Sequence, residues 1–178
     1  MGLALYSVYV CFILAVESAV AKDKDPCDGS TMGIMPHPGE CQLFYNCSRT
    51  DSPFLLGNHV QECTYPDLFD ATLLTCRDFR GVDCGPRVEL VSGCEYKSNK
   101  CNGSHCKACY IRFPNCKGLP DGKIPINWQM FTQFYAECEK GRFIGKLECP
   151  QGLKGVPMVF DPFQGVCDKL ENVIASSA

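Results

Sequence analysis

The sequence predicts a small, disulfide-rich, all-β protein made of two modules joined by a cysteine-rich connector. The first observation is composition: the 178 residues include 15 cysteines, 16 glycines and 12 prolines. A short chain with this many cysteines is typical of a disulfide scaffold. The second observation is that short β-type runs dominate, without an apolar pattern long enough for one large core. The third is the spacing of the cysteines, which divides the chain into two halves.

Composition also excludes two broad classes of protein. Hydrophobic residues make up 46% and aromatic residues 11% of the chain, so the sequence is not that of a disordered protein. The formal net charge is −3, which is unlike the strongly basic balance of a nucleic-acid-binding protein.

The N-terminal residues predict export. An apolar run at residues 3–16 precedes the small-x-small sequence Ala19-Val20-Ala21, and a polar segment follows at once. This pattern predicts a secretory signal peptide at residues 1–21. A membrane anchor is the alternative, but a span needs about 20 apolar residues, and Glu17 interrupts this run.

Cleavage after Ala21 leaves an even number of cysteines. It removes Cys11 from the 15 cysteines and leaves 14. Seven disulfides in an oxidising, extracellular compartment would use them all.

The strand candidates are short and lie in both halves. Gly57-Asn58 between two apolar runs predicts a hairpin turn, and Glu139-Lys140-Gly141 predicts a turn between two later strands. The candidate strands are Gln42 to Tyr45, Phe54 to Leu56, His59 to Glu62, Phe131 to Tyr135, and Arg142 to Glu148.

The first six mature cysteines carry a recognisable pattern. Phe44-Tyr45-Asn46-Cys47 places two aromatic residues before the third cysteine, Leu68-Phe69-Asp70-Ala71 precedes Cys76, and Phe79 follows it. On these residues, segment 27–84 resembles the chitin-binding type 2 domain, also called peritrophin-A or carbohydrate-binding module family 14. One departure is Thr64-Tyr65-Pro66-Asp67, where the family often has Pro-x-Gly after the fourth cysteine.

The C-terminal half resembles a degenerate copy of the same module. It contains Gln133-Phe134-Tyr135-Ala136-Glu137-Cys138, Cys149-Pro150-Gln151-Gly152, and the run from Val159-Phe160-Asp161 to Cys167. In this alignment Cys116, Cys138, Cys149 and Cys167 are the first, third, fourth and fifth cysteines. The second falls at Thr132 and the sixth is absent.

The resemblance implies a disulfide pairing that spacing alone leaves open. The implied pairs are Cys27–Cys47, Cys41–Cys84, Cys63–Cys76, Cys116–Cys138 and Cys149–Cys167. Losing the second and sixth cysteines together removes one whole bridge from the second module. The remaining four, Cys94, Cys101, Cys106 and Cys109, are expected to pair among themselves in one of three ways. A zinc site at Cys106-x-x-Cys109 beside His105 is the alternative.

The expected organisation is therefore a signal peptide at 1–21, a chitin-binding type 2 module at 22–86, a linker and cysteine-rich connector at 87–115, a degenerate module at 116–170, and a tail at 171–178. A linker at Gly85 to Gly93, if flexible, would let both modules grip one fibre or bridge two.

The resemblance implies that exposed aromatic rings stack on N-acetylglucosamine while polar groups bond its rim. Because neighbouring strand residues point to opposite faces, about half of the rings are expected to be structural. Phe69 and Phe160 are the expected core rings, Tyr45, Phe79, Tyr135 and Phe163 the expected surface rings, and Asp70 and Asp161 are expected in turns. The chitin-binding candidates are Phe44, Tyr45, Asn46, Tyr65, Phe69, Phe79, Phe134, Tyr135 and Phe163.

The expected function is that of a secreted, non-enzymatic protein of an extracellular chitinous matrix. Its expected partners are chitin or N-acetylglucosamine oligomers and other matrix proteins, with no nucleic acid, cofactor or metal, and no membrane after signal cleavage. Asn102-Gly103-Ser104 is an N-glycosylation sequon. The alternative function is a protein-binding scaffold, such as a protease inhibitor or secreted ligand, presenting Lys107, Tyr110, Ile111 and Arg112.

Overall fold

The fold was analysed in a computed structural model, which describes residues 26–29, 33–50, 56–101, 103–126 and 129–176. The predicted signal peptide, the sequon residue Asn102, and Phe54 of one candidate strand lie outside the described residues. Within the described ranges no helix is both long and apolar enough to cross a membrane. The small disulfide-rich all-β class is confirmed, since short antiparallel sheets and seven disulfides dominate the structure.

The first half contains a three-stranded sheet followed by a hairpin. Strands β1 (Ile34–Pro36), β2 (Leu43–Asn46) and β3 (Val60–Glu62) form an antiparallel sheet in that order. The hairpin pairs β4 (Leu68–Asp70) with β5 (Thr75–Arg77), and a 3-10 turn follows at Phe79–Gly81.

The second half repeats this order of elements. Strands β6 (Gly122–Pro125), β7 (Phe134–Glu139) and β8 (Arg142–Glu148) form the sheet. Strands β9 (Met158–Asp161) and β10 (Val166–Lys169) form the hairpin. The predicted turn between β7 and β8 is present at Lys140 and Gly141, both with positive φ.

Two strands begin later than predicted. His59 has a φ of 62° and Phe131 a φ of 60°, and left-handed backbone cannot continue a strand. β3 therefore starts at Val60 and β7 at Phe134. Gly57 does accept a turn hydrogen bond from Val60, but β3 then pairs with β2.

The disulfides in the structure include all five pairs implied by the resemblance. They are Cys27–Cys47, Cys41–Cys84, Cys63–Cys76, Cys116–Cys138 and Cys149–Cys167. The middle cysteines form Cys94–Cys109 and Cys101–Cys106. With these four sulfurs bonded to one another, Cys106 and Cys109 have no thiolate to offer to zinc.

The segment predicted as a linker is packed against the first half. Val88 forms a parallel bridge with Glu40, and its carbonyl accepts a 2.9 Å hydrogen bond from the N–H of Cys41. The buried Arg87 donates to the Phe69 carbonyl at 3.0 Å. The condition of a flexible linker is therefore not met at Arg87 and Val88, because both residues are held by backbone groups of the preceding module.

The connector lies between the halves and is itself ordered by aromatic contacts. It contains a 3-10 turn at Lys97–Asn99 and one helical turn, α1 (Cys109–Arg112). A Cβ at Gly93 would lie 2.5 Å from Cδ1 of Phe113, so only glycine fits the close approach of this backbone to the ring.

The predicted C-terminal tail is a packed helix instead. Helix α2 (Leu170–Ser176) buries Val173 completely, and the Ser176 hydroxyl donates to Asp161 Oδ2 at 2.9 Å. The second half therefore extends past residue 170, because α2 covers the β9–β10 hairpin.

Candidate functional site

Strand β2 places Phe44 and Tyr45 on opposite faces of the first sheet, because successive strand residues alternate. Met35 on β1 and Val60 on β3 lie directly opposite Tyr45 in the register. The two adjacent rings therefore cannot share one flat stacking surface.

The Phe44 face of the sheet is an interior face. The Phe44 ring lies 4.7 Å from the Phe69 ring, with their planes 10° apart. Phe69 is 1% exposed, so it belongs to the core, in keeping with the role expected for it from the sequence. This stacked pair attaches the β4–β5 hairpin to the sheet and leaves Phe69 inaccessible to a polymer.

The Tyr45 face carries a second aromatic ring that the sequence analysis did not select. The His37 imidazole lies 5.5 Å from the Tyr45 ring, with an interplanar angle of 29°. Both residues are half-buried. No local sequence pattern marks His37 as a site residue. The register of β1 against β2 places Met35 beside Tyr45, and His37, two residues later, lies on the same side.

Backbone donors orient the His37 ring. Nδ1 accepts hydrogen bonds from the N–H groups of Gly39 at 3.1 Å and Glu40 at 3.0 Å. An Nδ1 that accepts two such bonds carries no proton, so the ring proton is on Nε2 and makes that atom a donor. Together the Tyr45 and His37 rings form an aromatic pair in which backbone N–H groups fix the orientation of the imidazole, and we name it the Tyr45–His37 pair.

The polar candidates Asn46 and Asp70 act in turns. Asn46 Oδ1 accepts from the Ser48 N–H at 3.2 Å and from the Ser48 hydroxyl at 2.6 Å. Asp70 Oδ1 accepts from the N–H groups of Leu73 at 3.0 Å and Thr72 at 2.8 Å. These backbone bonds, helped by Arg77, hold the pKa of Asp70 below its ordinary value.

Comparison with known proteins gives a family match within the first half of the chain. Residues 27–84 match the family model described as the Chitin binding Peritrophin-A domain. This segment is a chitin-binding peritrophin-A domain. No curated protein matched the chain.

Two aromatic candidates of the peritrophin-A domain face the second half of the chain. The Tyr65 hydroxyl donates to the Val91 carbonyl at 3.2 Å and accepts from the Phe143 N–H at 2.8 Å. Its ring also meets the Tyr96 and Phe113 rings edge-on at 5.2 and 5.3 Å. Burial in this cluster raises the pKa of Tyr65. Tyr65 thus joins the peritrophin-A domain to the connector and the second half.

The second aromatic candidate that faces the other half is Phe79. It was predicted to lie on the surface, but it is buried. It is 5% exposed, and the guanidinium carbons of Arg80 and Arg142 lie 4.7 and 4.9 Å from its ring centroid. Arg80 also forms a two-point ion pair with Glu139 of β7, whose Nε–Oε1 distance is 2.8 Å. Phe79 therefore sits under contacts that cross between the halves.

The second half reproduces the backbone arrangement of the peritrophin-A domain. The N–H of Phe69 donates to the Cys41 carbonyl, and the N–H of Phe160 donates to the Thr132 carbonyl. The carbonyl of Thr132 thus accepts a bond in the second half like the one that the carbonyl of Cys41, the second cysteine, accepts in the first. Tyr135 stacks on Phe160 at 4.9 Å, as Phe44 does on Phe69.

The second half has a different side chain at the position equivalent to Tyr45. Counting back from Cys138, the equivalent of Tyr45 is Ala136, which is fully buried. Tyr135 is 8% exposed, which corrects its predicted place on the surface, because its ring takes the interior position of Phe44.

Lysine side chains lie against the remaining rings of this sheet. The Lys146 ammonium lies 3.8 Å from the Phe134 ring centroid, and that of Lys123 lies 5.3 Å from the Tyr135 centroid. Phe163, at the tip of the β9–β10 hairpin, is 66% exposed and is the accessible candidate ring of this half. Asp161 accepts from the N–H groups of Phe163 and Gln164, as Asp70 does in its own hairpin.

Proposed function

We propose that this protein is a secreted, non-enzymatic component of an extracellular chitinous matrix, and that it contacts chitin through the Tyr45–His37 pair. The match of residues 27–84 supports chitin as the ligand. The stacked arrangement of the two half-buried rings, on the face of the sheet opposite to Phe44, is the observation that carries the choice of surface.

The chemistry of the pair suits N-acetylglucosamine. The axial C–H groups of the sugar give it an apolar face, and stacking on an aromatic ring removes that face from water. A shallow surface of this kind accepts an extended polymer more readily than a closed pocket does.

We propose further that residues 116–170, with helix α2, are a degenerate copy of the same module whose sugar contact is reduced. The shared hydrogen bonds of Phe69 and Phe160 support the common origin of the arrangement. Ala136 at the position of Tyr45 supports the reduced contact. Phe163 is the ring through which this half would add to binding.

In this proposal the protein cross-links chitin through two halves held in a rigid tandem, and no flexible linker is needed. The halves are joined by the Arg80–Glu139 ion pair and by the Tyr65 hydroxyl, so their surfaces keep one relative orientation. A second contact through Phe163 would then raise apparent affinity only for fibres whose geometry matches that orientation.

Retention on chitin beads tests the proposal. Folded, oxidised protein would be compared with Tyr45→Ala, His37→Ala and Phe163→Ala variants, with cellulose beads as the polymer control. Tyr110→Ala is the matched control, since it removes a 62% exposed tyrosine outside residues 27–84. We expect Tyr45→Ala to weaken retention about tenfold, the effect of about 1.4 kcal/mol, and Tyr110→Ala to leave it unchanged.

Two results would overturn the proposal. Wild-type protein that fails to bind any form of chitin removes the function itself. Wild-type binding that Tyr45→Ala leaves intact, in a variant with an unchanged near-UV spectrum, removes the proposed surface.

A further inference from the structure

Two adjoining cavities open where the connector meets the edge of the second sheet. The larger has a volume of about 600 Å³ and is lined by Tyr110, Pro114, Lys117, Leu119, Ile124 and Pro125, among others. The smaller, of about 140 Å³, also includes Pro114 and extends to Ile111 and Arg112. We name the two together the connector cleft; its larger part has the size of a ligand-binding cavity.

The cleft is apolar and lies along a free strand edge. Tyr110 is 62% exposed and its neighbour Ile111 is 52% exposed. Ile124 and Pro125 are consecutive residues of β6 and both line the larger cavity. Since consecutive strand residues point to opposite faces, a cavity that touches both reaches the strand from its edge. Among the described strands, β6 pairs with β7 alone, so this edge is open to an extended chain.

The segment at residues 97–123, which runs from the connector into the second half, is cationic within an acidic chain. Residues 97–123 contain one acidic residue, Asp121, against six basic residues: Lys97, Lys100, Lys107, Arg112, Lys117 and Lys123. The whole chain, by contrast, has a net charge of −3. Lys117 lines the larger cavity, while Arg112 and Lys146 line the smaller. No aspartate or glutamate is among the described residues that line either cavity.

Lys97 forms an ion pair with Glu40 at 3.7 Å, but the contacts of the three cations that line the cavities leave their charge largely uncompensated. Lys117 Nζ is 4.0 Å from Glu95 Oε1 in an exposed pair, which is a weak interaction. Lys146 lies over the Phe134 ring, and Arg112 donates to the Asn99 carbonyl. Neither a ring nor a carbonyl neutralises a full positive charge, so the cleft keeps a positive potential.

We infer that the connector cleft binds an extended, acidic polypeptide segment that carries a bulky apolar side chain. The cations select negative charge, the apolar lining holds the side chain, and the β6 edge offers backbone hydrogen bonds to an added strand. An anionic polysaccharide would use the cations but neither the lining nor the strand edge. Neutral chitin would use no charge, so this site is independent of the chitin surface proposed above.

Fluorescence anisotropy with labelled peptides tests the inference on the full-length, oxidised mature protein. The probe is the peptide Asp-Glu-Asp-Leu-Asp-Glu-Asp, and the control peptides replace its leucine by serine or its acids by lysine. We expect the probe to bind, the serine peptide to bind at least fivefold more weakly, and the lysine peptide not to bind.

Charge reversal locates the site. Lys117→Glu should weaken the probe at least tenfold, and Tyr110→Ala at least threefold. Lys154→Glu is the matched control, because it makes the same charge change at an exposed lysine that lines neither cavity. It should leave binding within twofold. Retention on chitin beads should be the same for all three variants, which separates this site from the chitin surface.

Several results would overturn the inference. One is absence of probe binding at millimolar peptide, and another is equal weakening by Lys154→Glu and Lys117→Glu, which would indicate a diffuse charge effect. Equal affinity for the leucine and serine peptides, with competition by heparin, would point to an anionic polysaccharide. Concentration-dependent dimers that the probe does not dissociate, but that Lys117→Glu does, would assign the cleft to a second copy of this chain.

Discussion

The hydroxyl of Tyr65 accepts a 2.8 Å hydrogen bond from the backbone N–H of Phe143, a residue 78 positions further along the chain. The same hydroxyl donates to the Val91 carbonyl, so one side chain connects the peritrophin-A domain, the linker and the second sheet. A ring with these partners has a structural role, so we do not expect Tyr65 to contact sugar.

Replacing Tyr65 by phenylalanine tests this assignment. The ring contacts with Tyr96 and Phe113 would remain, while the Phe143 N–H would lose its partner. We expect a loss of about 1–3 kcal/mol in the free energy of unfolding, measured by urea denaturation, with unchanged retention on chitin beads. Weaker retention without a loss of stability would return Tyr65 to the list of sugar contacts.

The ion pair between Arg142 and Glu89 predicts an energetic coupling between the second sheet and the linker. Its side chain is fully buried, and Nη2 lies 2.8 Å from Glu89 Oε1. Its Nε and Nη1 atoms make no hydrogen bond within the described part of the protein. Glu89→Ala removes the counter-charge of a buried cation, and we expect it to lower the unfolding free energy by about 1–3 kcal/mol.

The matched test is the double variant Glu89→Ala/Arg142→Met. Removing the buried charge together with its partner often restores stability, so the double variant should be no less stable than Glu89→Ala in urea. A double variant whose loss equals the sum of the two single losses would show that the pair is not coupled.

Acid stability should depend on Asp70. The N–H groups of Leu73 and Thr72, with Arg77, hold the pKa of this carboxyl below its ordinary value of 3.8. A lowered pKa in the folded state stabilises the protein above the unfolded-state pKa, and this stabilisation is lost as the pH falls through the folded value. Urea denaturation between pH 6 and pH 2 should therefore show a decline below about pH 4.

Asp70→Asn is the control for that decline. Asparagine keeps the carbonyl oxygen that the turn requires but does not titrate, so its curve should be flatter than the wild-type curve below pH 4. Curves that stay parallel down to pH 2 would contradict a role for Asp70 in the acid decline.

The seven disulfides should differ in their contribution to stability. Cys41–Cys84 spans 43 residues and both cysteines are buried, whereas Cys101–Cys106 spans 5 residues. From loop closure alone, replacing both cysteines by serine should cost about 4 kcal/mol for the first pair and about 2 kcal/mol for the second. Thermal unfolding of the two double variants measures the order, and a larger effect of the short loop would contradict it.

Local patterns in the sequence were sufficient for much of the scaffold. Cysteine spacing and the flanking residues of Cys47 and Cys76 predicted the domain at residues 27–84, which the family match confirms. Asp70 and Asp161 were predicted in turns, and both accept backbone bonds within three residues of themselves. Such features are predictable because their partners are close in sequence.

The exposure of the candidate rings was predicted less well than the scaffold, for a physical reason. Phe163 is exposed and Tyr45 is half-buried, but Phe79 and Tyr135 are buried, and His37 was not among the predicted site residues. An aromatic residue before a disulfide cysteine gives the same sequence pattern whether its ring faces solvent or a partner sheet. Strand alternation requires one of each adjacent pair to turn inward, but it does not say which one.

The sequence by itself determined a small disulfide-rich β scaffold, the domain at residues 27–84 and the turns at Asp70 and Asp161, because these depend on cysteine spacing and short-range hydrogen bonds. Tertiary structure alone decided which rings remain accessible. The register of β1 against β2 brings His37 to Tyr45. The junction buries Phe79 beneath Arg142 from the other half of the chain. The first outcome depends on the pairing of neighbouring strands and the second on contact between residues distant in sequence, and no local pattern encodes either.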